Sequence, residues 1–294
     1  MDIVIANLSK NPTFDGDQVY VLPVSALDVV NSISAVLSCI ANAIIVFLVL
    51  KWTTLRTRSN IYLASWCLCN FFVLVSAPVT VNLFGWVDEI SFEVLCIWEE
   101  TLNGILFGNL VFVTIFLIDW YSVTLGTQNC ANRCGNCAKV INIIVWVVIM
   151  VLSTASVVLC VYNYSYPLTL MSYFIGYLTM FLIMLTIFIL RCVKVYLFHS
   201  LEKSKVELVL VVSYFICWLP NCACLYVELL LQRSTYGIMD GTYCVGYINA
   251  CVLLVILYCY DSNFKKCFRR TFGLESELSS EDNNVKNARN SVLL

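Results

Sequence analysis

Apolar residues run in seven long stretches separated by short polar breaks, at about Ala26–Leu50, Ile61–Phe84, Ile97–Leu117, Val140–Tyr162, Leu168–Leu190, Val206–Leu231 and Tyr243–Tyr260. A helix needs about 20 residues to cross a hydrocarbon core ~30 Å thick, and each stretch is near that length. In hydrocarbon every backbone N–H and C=O must pair inside its own segment or a closed barrel, so the stretches read as membrane helices. The third and seventh are the least sharply bounded, by Glu99-Glu100 and by a short apolar run. The first 25 residues are mixed and mildly acidic, without the basic start and apolar stretch of a cleavable leader. The first helix is therefore expected to act as the insertion signal. Glu275 to Asn290 is polar and acidic and is expected to be disordered.

Composition agrees with this pattern. Apolar residues make up 61% of the 294 and charged residues 12%, with mean hydropathy +0.86. A soluble domain averages roughly 25% charged residues, so the chain lacks the polar surface that water requires. Lys and Arg resist translocation. With the N-terminus outside, all 17 of them except Lys10 and Arg233 fall on the cytoplasmic side. The two sequons, at Asn7 and Asn163, then fall outside and are candidate glycosylation sites.

No Asp, Glu, Lys, Arg or His lies at the middle of a stretch, and the single His, His199, lies in a loop. A charge at that depth costs several kcal/mol and is kept for function. Its absence argues against a proton-coupled carrier, an intramembrane enzyme or a retinal protein. Mid-stretch prolines occur only at Pro78 and Pro220, without the paired Gly and Pro breaks of transporters. No nucleophile–base or metal-ligand constellation is evident, so neither an enzyme nor a cofactor is expected, and no nucleic-acid partner.

Ala41-Asn42, Asn70, Asp119-Trp120-Tyr121, Trp146, Tyr214, Cys217-Trp218, Pro220 and Asp261 to Phe268 together resemble the pattern of the rhodopsin-like G-protein-coupled receptors, over about Asn42 to Phe268. Ala41-Asn42 with Val46 is similar to the family's Gly-Asn-x-x-Val, and Asn70 stands where the family has a sodium-binding Asp, eight residues before Pro78. Asp119-Trp120-Tyr121 resembles Asp-Arg-Tyr, and Trp146 matches the fourth helix's tryptophan. Tyr214, Cys217, Trp218 and Pro220 match aromatic-x-x-Cys-Trp-x-Pro. Asp261 to Phe268 is similar to the family's amphipathic eighth helix. The resemblance implies an all-α membrane protein: an extracellular segment 1–25, a seven-transmembrane helix bundle 26–260, an amphipathic helix 261–272 and a cytoplasmic tail 273–294. It also implies a disulfide from Cys96 to Cys160, although Cys160 can equally be read as lying inside the fourth helix.

Each matched residue also has a physical reading. Pro220 removes a backbone hydrogen bond and is expected to kink the sixth helix. Trp218 is then a bulky sensor beside the bend, or simply a packed core side chain. Asn42 and Asn70 are expected to hydrogen-bond between helices one, two and seven. Tyr214 and Tyr258 complete the proposed switch, and Asp119, Trp120 and Tyr121 the G-protein coupling edge.

The departures matter as much. Trp120 replaces the arginine that pairs with the neighbouring acid, leaving Asp119 without its usual partner. Asn-Pro-x-x-Tyr is reduced to Tyr258, and Asn70 cannot hold sodium by charge. The expected outcome is either a receptor biased toward its active form without ligand, or a decoy or trafficking protein that no longer signals. The same erosion resembles the divergent orphan receptors carried by gammaherpesviruses, which implies a host plasma membrane.

Charge and cysteine placement add smaller expectations. Glu99, Glu100 and Glu228 lie nearest the expected ligand mouth on an acidic outer side, where a basic peptide or chemokine-like ligand is one partner and plain solvation the other reading. Cys130, Cys134 and Cys137 lack a fourth zinc ligand and read better as reduced thiols or lipid-attachment sites. Cys267, among Lys265, Lys266, Arg269 and Arg270, is expected to be palmitoylated beside an anionic leaflet. A heterotrimeric G protein and the lipid bilayer are the expected inner partners.

Overall fold

The computed structural model describes residues 26–86, 91–124, 135–162, 179, 181–190, 192–193, 205–231 and 236–274. The described residues are helical, without strands. In chain order the helices are α1 (Ala26–Lys51), α2 (Arg58–Trp86), α3 (Phe92–Thr124), α4 (Gly135–Val161), α5 (Phe181–Leu190), α6 (Lys205–Leu231), α7 (Tyr236–Tyr260) and α8 (Ser262–Thr271). A single 3-10 turn, Thr53–Leu55, joins α1 to α2 and plugs the buried Leu55 beneath them. Among the described residues five helices are long and apolar enough to cross a membrane, and a sixth span counts if Cys244–Tyr260 and Ser262–Thr271, bent by 104°, are taken together. The molecule is a helical membrane protein. Of the fifth predicted stretch, only Phe181–Leu190 lies within a described helix.

The helices close on one another through small and hydroxylated residues, as expected where lipid is as apolar as leucine. Against α7, Ser34 lies 3.4 Å from the Cys244 sulfur, and the Ser38 hydroxyl donates to the Tyr247 carbonyl. Between α2 and α4, Ser65 donates to Asn142 Oδ1 at 2.7 Å and receives the Trp146 indole N–H at 3.4 Å. The backbone of α3 runs close to α4 at two glycines. A methyl group on Gly104 would collide with Ser153, and one on Gly108 with Ile149. The core is aromatic, with Trp66, Tyr62, Tyr214, Phe112 and Phe116 fully buried. Outward faces are greasy, most of all on α4, where Val140, Ile143, Ile144, Val147 and Val151 are exposed.

One residue separates α7 from α8. Asp261 caps α8 by accepting the N–H groups of Asn263 at 2.9 Å and Phe264 at 3.1 Å. Phe264 and Cys267 face inward, three residues apart, and Lys266 and Arg270 face outward, four apart. The indole of Trp52 donates to Thr271 Oγ1 at 2.9 Å and fastens the end of α8 to the turn after α1.

Candidate functional site

The sixth helix carries the residues with the strongest sequence signal. It continues through Pro220, which has no N–H to give the Ile216 carbonyl. Two residues before Pro220, toward the α8 end, the Trp218 ring packs against Gly246 of α7. A Cβ there would sit 3.2–3.3 Å from three atoms of the indole. A methyl group there would press the ring back by a few tenths of an ångström, so it is close approach rather than backbone conformation that favours glycine. The Tyr214 ring follows at 6.4 Å from Trp218.

Trp218 and Asn70 come together at one small cleft of about 10 Å³, lined also by Val73, Leu74, Gly246, Tyr247 and Ala250. The Asn70 side-chain oxygen accepts from Nδ2 of Asn109 on α3. That differs from the expected link to α1 and α7. Asn42 is buried, and its side-chain amide has no hydrogen-bond partner among the described residues. The same holds for the amide of Asn249 on α7, while Asn221 on α6 has an unpaired oxygen. Asn70 thus gives the cleft a neutral amide, a dipole without fixed charge, among otherwise apolar and aromatic walls. Asn109, Asn221 and Asn249 were not singled out from the sequence, although a lone Asn inside an apolar stretch is the available signal.

Toward the α8 end, Asp119 is 3% exposed and has acquired a different cation. Arg58, at the start of α2, forms an ion pair with it, and Ser59 donates to Oδ2 at 3.2 Å. Tyr62, one turn further along α2, is buried beside this knot. Trp120 is buried in the core beside Asp119, and Tyr121 is half-buried. The three residues read as a coupling edge thus lie largely inside the bundle. Tyr258 faces α8 rather than the pivot. Arg269 donates to its hydroxyl at 3.4 Å, Lys265 lies over its ring at 5.5 Å, and Phe268 packs edge-on at 5.2 Å.

At the other end of α3, Cys96 and Cys160 are joined by a disulfide, with Cα atoms 5.7 Å apart. Cys160 lies inside α4, so both sequence readings of that cysteine hold together. One turn along from Cys96, Glu100 is 4% exposed and accepts from the Ser156 hydroxyl of α4. Its carboxyl is turned into the α3–α4 contact, which corrects its placement at an open mouth. Glu99 is half-buried. Glu228 lies on α6, but its side chain is outside the described set, and Asn7 and Asn163 lie outside the described residues altogether.

Cys267 is also turned inward. It is 5% exposed, with its sulfur 3.5 Å from Thr54 Oγ1 beneath α8. A thiol packed there is covered while α8 is seated, so acyl transfer to Cys267 would require α8 to lift. The sequence suggested a lipid-attachment site because the flanking residues are basic. The sulfur faces in because it is three residues from Phe264 on a helix whose inner face is apolar. Among the described residues no cluster of His, Cys, Asp or Glu is placed to hold a metal ion. Cys130 and Cys134 lie outside that set, and Cys137 is half-buried on α4. No known protein-family model matches the chain.

Proposed function

We propose that the protein is a divergent rhodopsin-like receptor of the plasma membrane, with seven spans and the N-terminus outside, that passes a signal to heterotrimeric G proteins without requiring ligand. The disulfide end is then extracellular and the α8 end cytoplasmic. The observation that carries this reading is the Trp218–Gly246 contact beside Pro220, one turn from Tyr214. A bulky ring resting on a second helix, next to a missing backbone hydrogen bond, gives α6 the means to swing its inner half. The cleft beneath offers the Asn70 amide in place of a carboxylate, so sodium would not favour the resting form by charge. A virus-encoded origin, a basic peptide ligand and a host cell membrane extend the same resemblance.

Nucleotide exchange in cells expressing the protein alone tests the proposal. Exchange above mock-transfected cells is expected, reduced by Pro220→Ala. Silence with every G-protein class removes the signalling reading. Epitope tags at the two termini should report opposite faces of the membrane, and the same face would remove the seven-span topology. A second reading, a non-signalling decoy or trafficking modulator that binds ligand or other surface proteins, is favoured by one observation. Trp120 is buried where the family presents its arginine. Ligand uptake with silent reporters would support it.

A further inference from the structure

The α8 end of α6 has an unusual way of being held. Along its length α6 packs closely on α7, and Phe215 meets Phe181 and Phe188 of α5. The ion pair at this end runs from α2 to α3, between Arg58 and Asp119, and leaves α6 out. What reaches α6 from the α2–α3 side is a side chain, Trp66. It is 0% exposed, and its ring meets Tyr214 of α6 edge-on, with centroids 5.3 Å apart and planes at 81°. On its other side it touches Phe116 of α3 at 6.4 Å. Tyr214 in turn packs on Phe215 and Trp218, so the contact sits at the foot of the Pro220 region.

We propose that Trp66 is a positioning residue, an aromatic latch by which α2 holds the inner half of α6 through Tyr214. The latch is only partly satisfied in this arrangement. The Trp66 indole N–H is buried without a hydrogen-bond partner among the described residues. A buried donor left unmade works against the state that buries it, whereas the ring contact works for that state. The two opposing contributions belong to separate parts of one side chain, so substitution can separate them. Trp66→Phe keeps a ring against Tyr214 and removes the orphan donor. Trp66→Leu removes both the aromatic contact and the donor. The inference concerns how α6 is held and stands apart from which partner the protein signals to.

Hydrogen exchange of the full chain in lipid nanodiscs reads the latch directly. Trp66→Leu is expected to speed exchange over α6 residues 205–216 by about tenfold, while the α1–α7 contact around Ser38 and Tyr247 keeps its rate. Trp66→Phe is expected to leave α6 exchange unchanged or slower. Tyr214→Leu, which breaks the same contact from the other side, should reproduce the Leu effect, and the double variant should add little to either. A uniform rise across all helices would reduce Trp66 to a general packing role and overturn the proposal. So would unchanged α6 exchange, or faster exchange in Trp66→Phe. Should Trp66→Leu fail to fold, Tyr214→Leu and Trp66→Phe still decide the question.

Discussion

α3 buries a carboxylate near each end and treats the two differently. Asp119 faces a full opposite charge, Arg58, with Ser59 on its other oxygen. Glu100 has the neutral hydroxyl of Ser156. The difference follows what else fastens each end. Beside Glu100 the disulfide already ties α3 to α4, so the polar contact only has to satisfy a buried group. At Asp119 the described tie between α2 and α3 is itself ionic, and it lies at the edge of the bundle, where Arg58 keeps 37% of its side chain in solvent. A charge that can stay partly wet costs less to bury than one that cannot.

Breaking each end in turn tests this asymmetry. Cys160→Ser should have the largest effect, about 2–4 kcal/mol, because it removes the covalent tie; melting of the purified protein in detergent, with and without reductant, checks it. Asp119→Ala comes next, at roughly 2–3 kcal/mol, below the usual figure for a fully buried pair because Arg58 is part-exposed. The double variant Arg58→Ala/Asp119→Ala should melt above Asp119→Ala alone, since no cation is then left stranded. Ser156→Ala should cost about 1–2 kcal/mol by leaving the Glu100 carboxyl unsatisfied. Glu100→Gln retains an acceptor for Ser156 and should change stability by less than ~0.5 kcal/mol. If Glu100→Gln proves as damaging as Asp119→Ala, the two ends are not held differently and the comparison fails.

Much of the architecture could be read from the chain because length and hydropathy need no knowledge of neighbours. A long apolar run is a membrane helix whatever it packs against. The faces of those helices were not legible. In lipid the outward side is as apolar as the core, so no polar stripe marks which way Trp66, Trp120 or Gly246 points. Arg58 was visible only as a topological charge, because its meeting with Asp119, 61 residues away, depends on how α2 crosses α3. The inward turn of Glu100 and Cys267 was hidden for a related reason. Polar or basic surroundings near a helix end suggested a ligand mouth and a lipid-attachment site, whereas Ser156 and Thr54 gave each residue an inward partner. The Trp218–Pro220 signal was legible because a proline inside a helix has a local consequence, whatever surrounds it.

The seat of Trp218 has one more consequence. No hydrogen bond fastens that indole in place, since its N–H has no described acceptor and it rests between Tyr214 and the bare surface of Gly246. Its position is a matter of clearance. A part located by clearance slides when the gap changes, so a single carbon at position 246 should act as a shim, and hydrostatic pressure as a clamp.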